Sequence, residues 1–286
     1  MAEMKTRAAA ALTALGLACG GMAFTDGSAG AVSTAPGAAS SEDGAVTTSS
    51  FKLVFSDNFN GNKLSKAWSF RNAQAPQRVC SKPDARMASV KNGKLLLRVQ
   101  RDASRKPNVT NRCPNGQYLN GMIGTPNTTF SYGRFSARIK FHQPKGAHGA
   151  FWLQSPSTEV DTIEYFGRAG NKTGGLRSYV HRPKVVNGQT KFVTSGGPLK
   201  ASKVRSIIGN HRISDGFHTF TVVWTPTSYV FSIDGKQTLK VTDAVSSSPV
   251  NLVLSLLSSD YELPALKSAK LPATMQVDWV KVWRRR

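Results

Sequence analysis

Hydrophobic and polar positions along residues 51–286 recur in short runs with a period of two. Arg134–Lys140 (RFSARIK) alternates cleanly and puts Phe135, Ala137 and Ile139 on one face, as a half-buried strand requires. Lys94–Gln100, Phe217–Trp224, Tyr229–Ile233, Val250–Leu257 and Met275–Trp283 read as further strands, each bounded by Gly, Pro, Asn or Asp. Tyr229–Ile233 runs into Asp234-Gly235, a strong hairpin signal. No segment carries a sustained helical stripe, and no internal repeat is visible. Residues 51–286 suffice for one large all-β domain, and the strand spacing suits a sandwich or jelly roll.

The first 50 residues read differently. Lys5 and Arg7 precede an apolar run, Ala8–Ala18, which is too short to span a bilayer and has the layout of a signal peptide. Cleavage after Ala23 or Ala31 fits the small-residue rule, so residues 1–31 are assigned to the signal and 32–50 to a flexible leader of Ala, Gly, Ser and Thr. Cys19 raises a lipid anchor, but Gly16 stands where a lipobox wants Leu. The expectation is export without an anchor. No other apolar run is long enough for a membrane span.

Charge narrows the partners. The chain carries 38 Lys+Arg against 16 Asp+Glu, a formal net charge of +22. Such a protein favours anionic partners. Nucleic acid is disfavoured, because no recognition fingerprint is present and the bases are spread along the chain, including Arg284–Arg286. Association with an anionic cell wall is the plain reading, and an anionic glycan as substrate is the sharper one.

Against that basic background, Ser157–Gly167 (STEVDTIEYFG) places Glu159, Asp161 and Glu164 within six residues. Strand alternation puts Glu159 and Asp161 on one face but Glu164 on the other, beside Val160. One extra residue, a β-bulge near Thr162–Ile163, would bring all three carboxylates together and send Val160, Ile163 and Tyr165 into a core. The bland alternative is a solvated acidic face. Clustered like charges instead raise at least one carboxyl pKa, as a general acid requires.

E-V-D-T-I-E resembles the E-x-D-x-x-E signature of glycoside hydrolase family 16 in its bulged form. Phe55–Asn62 with Trp68, Lys91–Arg98, Tyr118–Ile123, Tyr132–Lys140, Gly149–Leu153, Phe217–Trp224, Tyr229–Gly235 and Val277–Trp283 follow in that family's order. The resemblance implies a curved antiparallel jelly-roll β-sandwich of the concanavalin A-like kind over residues 51–286. It implies Glu159 as nucleophile, Glu164 as acid/base and Asp161 as their assistant, in a retaining double displacement. Asp161 would then help to keep Glu164 protonated. Trp152 would stack on sugar, and His181 would lie near the acid/base. Tyr118 and Asn120 would line the cleft. His142, His148, His211 and His218 carry no spacing signal.

The match is not complete. His148-Gly149-Ala150-Phe151-Trp152 stands where many glucanases read W-P-A-F-W, and SLLSSDYELPAL departs from the usual glycine-rich strand end. The implied substrate is a β-linked polysaccharide, with β-1,3-glucan or mixed-linkage glucan first and an anionic or sulfated galactan as the competitor. A lectin-like binding protein on the same fold is the non-enzymatic alternative. Export favours one disulfide between Cys80 and Cys113, against two unpaired thiols. No cofactor is required and no metal spacing is present; a structural Ca²⁺ follows only from the resemblance, with no acidic loop to hold it. A monomer is expected.

Overall fold

The computed structural model describes residues 50–71, 80–104, 113, 118–167, 175–186, 189–259 and 262–286. The expected signal segment, with Cys19, and the leader up to residue 49 lie outside the described residues. In chain order the strands are β1 (Phe51–Asp57), β2 (Ser69–Phe70), β3 (Ser81–Pro83), β4 (Ala88–Lys91), β5 (Lys94–Arg101), β6 (Tyr118–Gly124), β7 (Gly133–Lys140) and β8 (Ala147–Gln154). They continue as β9 (Glu159–Tyr165), β10 (Leu176–Val186), β11 (Gln189–Pro198), β12 (His218–Thr225), β13 (Ser228–Ile233), β14 (Lys236–Val241), β15 (Asn251–Ser258) and β16 (Ala273–Arg285). Two short helices interrupt them, α1 (Ala201–Ile208) and α2 (Leu263–Lys267).

The strands join in one curved sheet, in the order β11-β10-β9-β8-β15-β6-β5-β16-β7-β12-β13-β14. All pairings are antiparallel except that of β3 with β6. The sheet folds over at β5 and β6, so its two halves enclose one core. Phe135, Ala137 and Ile139 of β7 enter that core as their alternation predicts, together with Phe151, Val160 and Val222 from other strands. Phe141 ties the layers: its ring centre lies 5.1 Å from Tyr165 and 5.3 Å from Phe220. This is the jelly-roll sandwich expected from the sequence.

Local chemistry fixes the connections. Asp234 and Gly235 take φ of 48° and 78°, the left-handed pair that a two-residue hairpin demands. Cys80 and Cys113 are joined in a disulfide, 33 residues apart in sequence.

The two helices are short and leave the fold all-β. In α1 only Val204 and Ile208 are buried, a single i, i+4 pair on an otherwise exposed turn. Two positions are too few to show a period. In α2, Leu263 and Leu266 are the buried pair, with Pro264 in the first turn, where its missing N–H costs nothing.

Tyr118 and Asn120 also need correction. Cys80 O accepts from the Tyr118 backbone N–H at 2.9 Å, and β3 runs parallel alongside. That cover closes Tyr118 into the core at 0% exposure. Asn120 is equally buried: its Nδ2 donates to Ser81 Oγ at 2.6 Å, and its Oδ1 accepts from the Ser258 backbone at 3.0 Å. Neither side chain has surface left to offer a ligand.

Candidate active site

The site begins with a fault in strand register. Against β8, Phe151 pairs with Ile163 and Trp152 with Asp161, so Thr162 is extra. On the other side Arg177 pairs with Glu164 and Tyr179 with Asp161, the same one-residue excess on β9. Ser178 Oγ donates to the freed Thr162 carbonyl at 2.9 Å. The bulge thus sits where the sequence required it. Val160, Ile163 and Tyr165 fill the core, and Glu159, Asp161 and Glu164 share the opposite face.

That face is wired by histidines and arginines. His181 on β10 is paired with Glu159 and brings Nε2 to 3.2 Å from Asp161 Oδ2. Its Nδ1 lies 2.9 Å from Thr194 Oγ1. It contacts Asp161 directly and, as the resemblance implies, also lies near enough to Glu164 for its charge to act there. The partner of Glu164 is His148, whose Nε2 stands 2.7 Å from Glu164 Oε1. His148 carried no spacing signal of its own. One clue was available: it lies four residues before Trp152 on the same strand, hence on the same face.

Phe166 braces this corner. The His148 ring stacks on it at 4.0 Å with a 15° interplanar angle, and the Arg177 guanidinium lies 4.4 Å from its centre.

The electrostatics invert one expectation. Burial, and then the charge of Glu164, push the Asp161 carboxyl well above its ordinary value. Burial also pushes Glu164 up, but the pull of His148, Arg177 and His181 outweighs it and brings Glu164 below its ordinary value. Crowding does raise one carboxyl of the three. It is Asp161 that is favoured to hold a proton, because cations surround Glu164 and burial dominates at Asp161.

Trp152 lies on the same face, outside the main core. It packs on a small apolar floor of Met122, Val253 and Leu257, and its Nε1 donates to Ser255 Oγ at 3.2 Å. Arg71, which the sequence reading did not single out, reaches over it, with the guanidinium carbon 5.6 Å from the indole centre. Its stem crosses Gly124, where an added Cβ would meet Arg71 Cδ at 2.9 Å. Arg71 also feels the charge of Glu159. Pairings place Tyr179, Asp161, Trp152, Val253 and Gly124 in one row, which runs across the strands.

Glu159, Asp161 and His181 present donor atoms within 4.8 Å of one another. These donors are turned on each other through the His181–Asp161 contact and do not amount to a metal site. The set also lacks the oxygen-rich shell that Ca²⁺ takes.

Comparison with known proteins identifies the family to which this fold belongs. The chain is 25% identical over 279 residues to glucan endo-1,3-β-glucosidase A1 of Niallia circulans, covering 81% of this chain and 38% of that protein. It is 25% identical over 263 residues to keratan-sulfate endo-1,4-β-galactosidase of Sphingobacterium multivorum, covering 84% of this chain and 56% of the relative. The chain therefore spans about two fifths to just over half of these relatives' lengths. Among solved structures, endo-β-1,3-glucanase from Pyrococcus furiosus superposes with a TM-score of 0.64 at 21% identity, covering 82% of this chain and 95% of that one. Residues 78–281 match the family described as Glycosyl hydrolases family 16, and with that match over most of the chain, on this fold, the protein belongs to glycosyl hydrolases family 16.

Proposed function

We propose that this protein is an exported, retaining endo-glycoside hydrolase acting on a β-linked polysaccharide, with β-1,3-glucan or mixed-linkage β-glucan first. The observation that carries this is the convergence of Glu159, Asp161 and Glu164 on one sheet face through the Thr162 bulge. Glu159 is the nucleophile that bonds to the anomeric carbon. Glu164 protonates the departing oxygen and then deprotonates the incoming water. Asp161 sits between them, and His181 holds it in place. Trp152 offers an indole face to a sugar ring beside the reacting bond. The basic N-terminal segment and the Cys80–Cys113 disulfide support export, and the net charge of +22 supports retention near an anionic wall. The protein works as a monomer.

The test is reducing-end release by the wild type and Glu159→Gln on laminarin, mixed-linkage glucan, agarose and a sulfated carrageenan. Cleavage of a neutral glucan that disappears in the variant supports the reading; unchanged turnover in the variant removes Glu159 from its role. A second reading, an acidic galactan as substrate, is favoured by Arg71. Its guanidinium lies over the Trp152 ring, where a sulfate or carboxylate of the substrate would meet it. Cleavage restricted to the sulfated polymer would favour that reading, and binding without cleavage of any polymer would favour a lectin.

A further inference from the structure

Glu164 has two opposite tasks in the reaction proposed above, and one contact in the structure bears on both. His148 Nε2 approaches Glu164 Oε1 to 2.7 Å, with both side chains nearly enclosed. His148 is in turn held flat against Phe166, which also carries Arg177. We propose that His148 is a positioning residue for Glu164 and shares a single proton with it, so that the pair stores the proton that the acid step delivers. This inference rests on Glu164 being the acid/base.

At rest the proton lies on His148 Nε2 and Glu164 is a carboxylate. The proton crosses to Oε1, leaving a neutral imidazole. Glu164 then gives it to the glycosidic oxygen as that C–O bond breaks and Glu159 bonds to the anomeric carbon. In the second half, the Glu164 carboxylate takes a proton from water while the water oxygen displaces Glu159. That proton returns to His148. One water is consumed, and both carboxylates end as they began.

The surroundings support storage at this place. His148 sits on β8; from β9 itself, Asp161, whose carboxyl is pushed up by burial and then by the charge of Glu164, faces the pair. From β10, Arg177, Tyr179 and His181 face the pair. Arg177 and His181 favour the carboxylate form of Glu164 at rest, so a nearby donor is needed before the acid step. His142, behind His148, does not compete for the proton: burial lowers it to about 3, and its Nε2 is engaged with the Ala147 carbonyl at 3.0 Å.

Two measurements decide it. The first needs no substrate: ¹⁵N NMR titration of the His148 ring in the wild type and in Glu164→Gln. The ring is expected to keep its proton to higher pH in the wild type; coincident titrations overturn the proposal. The second is the pH profile of kcat/KM for His148→Gln, with folding checked by circular dichroism. On laminarin, the alkaline limb is expected to move to lower pH by about one unit or more, because the pair has lost its second proton site. On an aryl glycoside with a 4-nitrophenolate leaving group, which needs no proton, that limb is expected to stay. A limb that is unmoved or moves up on laminarin, or equal losses on both substrates, overturns the proposal. If the wild type does not cleave laminarin, the functional reading fails there, and the NMR arm still decides the pair.

Discussion

The guanidinium of Arg71 lies over the indole of Trp152, 5.6 Å from the ring centre, and its stem has room to cross β6 there because residue 124 is glycine. An alanine there would place its Cβ 2.9 Å from Arg71 Cδ and 3.1 Å from the Leu252 carbonyl. Gly124→Ala is therefore expected to push Arg71 off Trp152. The forfeited contact amounts to about 1 kcal/mol, read as a several-fold rise in KM with kcat nearly unchanged. An unchanged KM would place Arg71 off the path of the substrate.

Asp161 should cost stability at neutral pH. Its folded-state pKa is raised by burial and by Glu164, so the folded protein binds a proton that the unfolded chain releases. Stability then falls as pH rises from the ordinary aspartate pKa towards the raised value, by about 1.4 kcal/mol for each pH unit between them. Asp161→Asn keeps the shape and removes the titration. Its melting temperature is expected to exceed that of the wild type at pH 7 and to match it near pH 4, while activity falls. Equal melting differences at both pH values would mean that Asp161 is not a strained acid.

Replacing Glu164 with Gln tests acid catalysis through the leaving group. The loss on polysaccharide is expected to be about 10²–10⁴-fold, and much smaller on a nitrophenyl glycoside. Equal losses on the two substrates would show that Glu164 does not act as the acid.

The Cys80–Cys113 bond closes a long loop beside the buried start of β6. Replacing both cysteines with Ser is expected to cost about 2–4 kcal/mol, measured by denaturant unfolding, with the cleft chemistry retained. A comparable fall in kcat would tie the disulfide to the site rather than to stability alone.

Much of this architecture was legible in the sequence, because period-two patterning acts locally. Phe135, Ala137 and Ile139 had only one face on which to be buried, and Glu164 would have stood charged in the core without an inserted residue. Other features depend on contacts far apart in sequence. His148 is defined by β8 lying against β9, and His181 meets Asp161 because of how β10 is registered past the bulge. Asn120 has the alternation of a cleft residue, yet Ser81 and Ser258 close over it, and nothing near it in sequence announces either one. For α1, a buried pair of two residues is too little pattern to separate a helix from a strand.

Thr162 has a consequence for how this site can vary. The three residues of β9 on one side of it and the three on the other answer to different phases of the same strand. Keeping Thr162 but pairing it in an unbulged strand would rotate Glu164 into the apolar layer and Ile163 out of it, whereas deleting it would leave both faces as they are. A strand without the insertion would need its third acid one position earlier, at the place now held by Ile163. No single exchange of one side chain for another connects the two arrangements. Lineages bearing one or the other are thus separated by an insertion or deletion, and alignments that force them into a common frame will mispair an acid with a core residue.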